Sequence, residues 1–237
     1  MPIKIGSRVF APRWFTTALT LALLAVLIAL GRWQLDRADQ KRALFDAFAA
    51  GADTTRPLES ASNRYQHVEA EGHYDPDRQI LIDNMFSAGG QAGYYVITPF
   101  ELTSGRWLLV NRGWIPVGES RAELPKIAVP GGRRHIRGRL DRLPQPGIHM
   151  GPPQALAPPF PLRASFPSFA GIKSVLGAGN WARNAEVVLL DRDQPGGYAR
   201  EWAAPGFPPI RHVAYAVQWF GLALALSVIY VVSNLRS

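Results

Sequence analysis

Between Arg211 and Val232 the chain reads RHVAYAVQWFGLALALSVIYVV, and His212, Tyr215 and Trp219 stand in that apolar run at i, i+3 and i+7. That spacing puts all three on one face of a helix. The run is about long enough to cross a bilayer, which takes roughly 20 residues at ~1.5 Å each. An imidazole at its start suits two chemistries. It can sit at headgroup level as an interfacial side chain. Alternatively, its neutral ring can give a lone pair to haem iron as one axial ligand, sheltered by Tyr215, Trp219 and Leu222. A polar group in a span marks a functional site by default, but the residues alone leave both readings open.

A second group is Asn111-Arg112-Gly113-Trp114, directly after the apolar run WLLV. These residues are expected to close a strand with a turn. Gly113 supplies positive φ, Asn111 holds the turn and Trp114 packs. Arg112 there presents a planar cation suited to a carboxylate, either a cofactor propionate or a partner side chain. The turn-forming types of its neighbours weigh toward a purely structural role. The remaining histidines offer less. His67 and His73 lie about 20 Å apart on an extended strand, too far to share a metal. His135 sits in a half-buried strand with a basic outer face, and His149 stands alone in a proline-flanked loop. Asp75, Asp77 and Asp83 read as turn carboxylates. No nucleophile elbow, phosphate-binding glycine loop or HExxH pattern occurs. The sequence therefore predicts a protein that is not an enzyme and uses no catalytic residue.

Composition narrows the partners. The 237 residues contain no Cys and only three Met, which excludes disulfides, thiolate zinc sites and thioether copper sites. The surplus of 26 Lys+Arg over 18 Asp+Glu fits basic flanks beside an anionic lipid bilayer. No nucleic-acid-binding motif accompanies it, so nucleic acid is not an expected partner.

These residues need elements to place them. A basic tail, 1–13, leads into an apolar span, 14–31, which lacks a good cleavage site and is read as an uncleaved anchor. Helical spacing continues through Trp33, Arg37, Lys41, Leu44 and Phe48, predicting an amphipathic stalk over 32–50 that Gly51 ends. From 51 to 209, short β-type runs alternate with Gly and Pro, predicting strands over 65–74, 79–84, 94–102, 106–111, 135–140 and 187–191. Turns are expected at Asp75-Pro76-Asp77 and Thr103-Ser104-Gly105. Residues 152–161 hold five prolines and are expected to be irregular. A short helix is expected over 166–176, with Ser165 as its cap. The second span covers 210–232, followed by a tail, 233–237. The expected fold is a membrane protein in which two transmembrane α-helices, N- and C-terminal, enclose a β-rich, α+β, mainly antiparallel extracytoplasmic domain. Both termini then lie on one side. Charge does not fix which side, because the basic residues flank both ends of the first span.

Five stretches in order, LGRWQLDRADQKRAL, YQHVEAEGHYDPDRQILIDN, GYYVITPFEL, VNRGWIPVG and HVAYAVQWFGLA, resemble the Surfeit-locus protein 1 family of cytochrome c oxidase assembly factors. The likeness covers nearly the whole chain, and its most specific parts are the NRGW and HVAYAVQWF segments. It implies a protein of the bacterial inner membrane, with both termini cytoplasmic and the central domain periplasmic. It also implies assistance in delivering haem a to oxidase subunit I, with subunit I and haem a synthase as partners. Transient haem a binding falls to the histidine of the second span. Carried over residue by residue, that histidine is His212, and Trp219 is the family tryptophan. Tyr215 and Arg211 complete the expected cofactor contacts. Arg211 stands where the family often has asparagine, and it can pair with a propionate or snorkel to headgroups. Arg112, Gly113 and Trp114 match the family's post-strand motif, as a partner or cofactor contact. The rival expectation is a haem-independent chaperone that steadies subunit I through the periplasmic domain.

Overall fold

The computed structural model describes residues 3–5, 8–51, 54–121, 123–145, 155–177, 179–183 and 186–236. In chain order the elements are β1 (Ile3–Ile5), β2 (Arg8–Phe10), α1 (Trp14–Ala50), β3 (Thr55–Pro57), β4 (His67–Tyr74), β5 (Ile80–Phe86), β6 (Ala92–Leu102) and β7 (Trp107–Pro116). They continue with β8 (Arg134–Arg142), β9 (Leu162–Ala164), α2 (Phe169–Leu176), β10 (Glu186–Leu190), α3 (Pro209–Asn234) and β11 (Leu235–Arg236). The chain divides into two compact units, Met1–Asp46 with Ala204–Ser237, and Ala47–Ala203.

The first unit is a pair of antiparallel helices with a small sheet. Both α1 and α3 are long and apolar enough to cross a membrane. The apolar part of α1 continues without a break into the polar stalk, as the spacing predicts. On each helix two small residues seven apart are buried, Gly31 and Ala38 on α1, Ala216 and Ala223 on α3. A seven-residue repeat keeps one face turned to a partner helix, and small side chains let the backbones approach. A Cβ on Gly31 would lie 2.6 Å from the Phe220 ring. At one end Thr17 and Tyr230 hydroxyls hydrogen-bond at 2.6 Å, and the Tyr230 ring meets Phe10 edge-on. There β2 pairs antiparallel with β11, Phe10 opposite Leu235. The two tails therefore leave the same end of the helix pair.

The second unit is a closed sheet. Strands β4, β8, β10, β7 and β6 are neighbours in that order, and β6 returns to β4 through Gly72↔Leu102, His73↔Glu101 and Tyr74↔Phe100. Closure removes the exposed edges that a five-stranded sheet would otherwise carry. Strand β5 continues from β6 with β9 at its outer edge, and β3 flanks β4. Most pairs are antiparallel, but β3–β4, β5–β9 and β7–β10 are parallel.

Alternation explains the apolar runs. On β10, Val188 and Leu190 join Val68, Phe100, Leu108 and Ile136 in one core. Val187 and Leu189 face the opposite way, into a second core with Ile80, Ile97, Leu109 and the α2 residues Ile172 and Leu176. EVVLL is buried on both faces, so it reads as a continuous hydrophobic run rather than an alternating one. Helix α2 begins at Phe169, and its cap is Ser168, whose hydroxyl accepts from the Gly171 N–H at 3.0 Å. This corrects the expected cap, Ser165: Pro167 intervenes, and the helix starts two residues beyond it.

The predicted strands are all present with shifted ends, and the turns at Asp75–Asp77 and Thr103–Gly105 lie between the expected pairs. The main departure is β7. It does not stop at Asn111 but runs on to Pro116. Tyr95 pairs with Trp114 and Ile97 with Asn111, so two steps on β6 match three on β7. The extra residue makes a bulge, and Gly113, at φ 115°, absorbs it.

Candidate functional site

His212 lies in the first turn of α3, half-buried, one turn before the buried Ala216. Its Nδ1 is 2.9 Å from Oε1 of Gln34 on α1. An amide oxygen only accepts, so this contact is made by an Nδ1–H, and the neutral ring then carries its lone pair on Nε2. Trp219, two turns further along α3, is half-buried on the same side. The sequence did not single out Gln34. Position 34 falls at helical spacing between Gly31 and Ala38, which the structure shows to be the buried face of α1.

Tyr215 does not join this seam; it is 51% exposed. One position after Ala214 and one before the buried Ala216, it points off the line of contact with α1. Arg211 is exposed, and its guanidinium carbon lies 4.6 Å from the Phe207 ring centre. Lys41 on α1 donates to the Pro205 carbonyl, ahead of α3, at 3.4 Å. The helix pair thus offers one imidazole nitrogen, aromatic and aliphatic neighbours, and an exposed cation beside the imidazole. That donor set suits a flat, largely apolar group with one open metal position and carboxylate arms, and haem has that character. Among the described residues no group of three or more His, Asp or Glu side chains is placed to hold a bare metal ion.

In the barrel unit the expectation for Arg112 needs correcting. It is not presented at a turn. It is 1% exposed within β7. Its Nε donates to the Gly196 carbonyl at 2.8 Å and its Nη2 to the Ala128 carbonyl at 2.7 Å. The guanidinium carbon lies 5.2 Å from the ring centres of both Tyr74 and Tyr198. Burial pulls its pKa below the usual value for arginine, with Tyr198 and Tyr74 opposing the shift. The cation ties the segment around Gly196 and Ala128 to the barrel wall. Gly113 serves the same strap. A Cβ there would lie 2.7 Å from the Ala199 carbonyl, and Trp114 N–H donates to that carbonyl at 2.7 Å. Trp114 lines a cleft, a cavity of about 190 Å³ bordered also by Phe86, Tyr95 and Glu201. Its indole N–H donates to the Met85 carbonyl at 3.1 Å.

Of the other described histidines, His67 and His135 have side-chain partners within the barrel unit. His67 is held between Thr55 at 2.8 Å and Asp191 at 2.7 Å. His135 pairs with Glu69 at 3.3 Å, and His73 stands opposite Glu101 in the barrel seam. His149 lies outside the described residues.

Tyr74, against Arg112, yields a pH prediction. Burial pushes its phenol up from 10.0 to about 12, against the pull of Arg112. The folded state then holds a proton that the unfolded chain releases. Stability from this source is complete below pH 10 and is lost as pH climbs through about 12. At about 1.4 kcal/mol per pKa unit the loss amounts to roughly 2–3 kcal/mol. Urea midpoints measured from pH 9 to 12 should fall for the wild type and fall less for Tyr74→Phe. Equal slopes for the two proteins would remove Tyr74 from the account. Because the hydroxyl has no hydrogen-bond partner among the described residues, Phe should cost little at pH 7.

Two apolar terminal helices flanking a mixed β-domain define a membrane-associated protein with a central extramembrane barrel. The profile of the SURF1 family matches residues 21–224, and the chain belongs to that family. It is 26% identical over 250 residues to Surfeit locus protein 1 of Xenopus tropicalis, covering 90% of this chain and 75% of that protein. It is 25% identical over 234 residues to a SURF1-like protein of Rickettsia felis, covering 92% of this chain and 96% of that one. A SURF1-like protein of Rickettsia conorii is 27% identical over 243 residues, covering 93% and 92%.

Proposed function

We propose that this protein is a non-enzymatic assembly factor for haem–copper cytochrome c oxidase that holds haem a transiently and presents it to subunit I. It works in the bacterial inner membrane beside haem a synthase, with both tails cytoplasmic and the barrel periplasmic. Family membership supports the role in oxidase assembly. The emergence of both tails from one end of the helix pair supports the two-span topology. The observation that carries the haem reading is His212, half-buried in an apolar helix with Nδ1 already engaged and Nε2 left to donate.

Haem, when bound, supplies an iron that accepts a lone pair. The chain's own residues hold it. His212 gives Nε2. Trp219 supplies an aromatic surface on the same face, and Tyr215 a further ring at its exposed border. Arg211, free of any acidic partner within its own helix turn, pairs with a propionate. The reading is therefore one of binding and transfer, with no bond made or broken by the chain's own residues.

The test is co-expression with the enzymes of haem a synthesis, purification in detergent, and an absorption spectrum. The wild type should carry haem a, and His212→Ala should lose most of it. A variant with unchanged spectrum and occupancy would show that His212 is not the ligand. A second reading, a chaperone acting through the barrel without haem, is favoured by the cleft at Trp114, beside which Phe86 is 62% exposed. On that reading His212→Ala cells still assemble oxidase, and Phe86→Ser cells do not.

A further inference from the structure

We propose that Gln34 is the positioning residue for His212: its side-chain carbonyl accepts the Nδ1–H and fixes the tautomer whose Nε2 is bare. This rests on the haem-binding reading of His212 and adds a residue on the other helix to it. A free neutral imidazole exchanges between two tautomers, and only one leaves Nε2 able to donate. The proton's position is set by the hydrogen bond the other nitrogen makes. Here that bond comes from α1, at 2.9 Å, between two half-buried side chains.

The surroundings explain why the bond holds. Gly31, one turn before Gln34, admits the Phe220 ring so closely that a Cβ would lie 2.6 Å from it. Ala38, one turn after, is 1% exposed, and Ala216, one turn after His212, is also 1% exposed. Small residues thus bring the two backbones together on either side of the pair. Gln34 has the reach to bond across that gap, and apolar neighbours leave little competition from water. The same contact joins the two helices. A ligand arriving at His212 therefore meets a ring already oriented by the first helix.

A merely adhesive contact between helices predicts something different from a tautomer lock, and two variants separate them. Gln34→Leu keeps the bulk and removes the acceptor. Gln34→Glu keeps an acceptor and makes it a stronger one. The first measurement needs no haem: the ¹⁵N spectrum of the full chain, histidine-labelled, in lipid nanodiscs. The His212 signals are identified by their loss in His212→Ala. In the wild type Nδ1 should appear protonated and Nε2 bare; in Gln34→Leu both nitrogens should move toward exchange-averaged positions. A protonated Nε2 in the wild type, or no change in Gln34→Leu, overturns the assignment.

The second measurement is on the haem-loaded protein. Loss of an outer partner of a ligating histidine costs roughly 10- to 100-fold in affinity, and Gln34→Leu should fall in that range. The iron–histidine stretching frequency should drop in Gln34→Leu and rise in Gln34→Glu, because a stronger acceptor makes the ring a better donor. Shifts in the same direction for both variants would indicate simple helix loosening and overturn the proposal. If His212→Ala keeps its haem while the wild-type tautomer is as stated, the haem reading fails and the role of Gln34 in holding the ring stands.

Discussion

Gly72→Val is expected to prevent the barrel from folding. Gly72 is the residue at which β4 is paired on both sides, with Leu102 of β6 and with Arg134 of β8. A Cβ built on it would sit 1.9 Å from the Glu101 carbonyl oxygen and 2.8 Å from the Phe100 ring. Neither neighbour can retreat. The carbonyl belongs to the strand that closes the barrel, and the Phe100 ring is fully buried in the inner core. The chain must therefore open the β4–β6 seam or displace Phe100. Opening the seam exposes two strand edges, and displacing a buried aromatic costs about 3–5 kcal/mol by itself. Both routes reach the ~4–5 kcal/mol class that is exceptional for one substitution. A domain whose whole stability is about 5–15 kcal/mol tolerates little of this. Gly118→Val is the matched control, since a Cβ there meets nothing within 4 Å among the described residues. Membrane yield and resistance to limited proteolysis should collapse for Gly72→Val and stay level for Gly118→Val. A wild-type urea midpoint for Gly72→Val would show that the barrel is not closed at this seam.

That close approach is a fact of tertiary packing, and it marks where sequence reading stops. The apolar runs were legible because burial writes itself into composition. VVLL is hydrophobic throughout since both its faces are covered, and the long first helix keeps its spacing from the span into the stalk. The three-residue strands β3 and β9 were not legible, because three residues carry no periodicity. Asn111-Arg112-Gly113-Trp114 misled for a better reason. Asn and Gly are turn formers when only local bonds count, but here the Asn111 side chain accepts from the Gly113 N–H at 3.1 Å inside a continuing strand. The bulge is held by partners some 85 residues away, with Tyr198 N–H donating to the Arg112 carbonyl at 2.7 Å. Such a partner cannot be inferred from a four-residue window. At the helix pair the position of His212 was readable from its own helix. Its partner required knowing that α1 and α3 pack side by side, with Gly31 against the Phe220 ring.

Arg112 carries the second large expectation, because a buried cation held by carbonyls behaves unlike one offered to a ligand. In Arg112→Met the side chain keeps nearly the same length and loses every donor. The carbonyls of Gly196 and Ala128 then lose their guanidinium partner, at about 1–3 kcal/mol for each group left unsatisfied. Relief from desolvating a charge works the other way. The net expectation is a loss of roughly 2–4 kcal/mol, with the strap around Gly196 loosened first. Arg112→Lys should be no milder. It retains the buried charge but replaces the planar fork with a point charge that cannot reach both carbonyls. Tyr74 reports on the same change independently. Arg112 pulls its pKa down from where burial would place it, so Arg112→Met should send the phenol higher still, and ultraviolet titration reads that directly. A surface role in binding a carboxylate predicts the opposite pattern: urea midpoints unchanged in both variants, Tyr74 titrating as before, and only oxidase assembly lost. Stability falling in both variants while the Tyr74 titration rises in Arg112→Met would assign Arg112 to the fold of the barrel, and the family's post-strand motif with it.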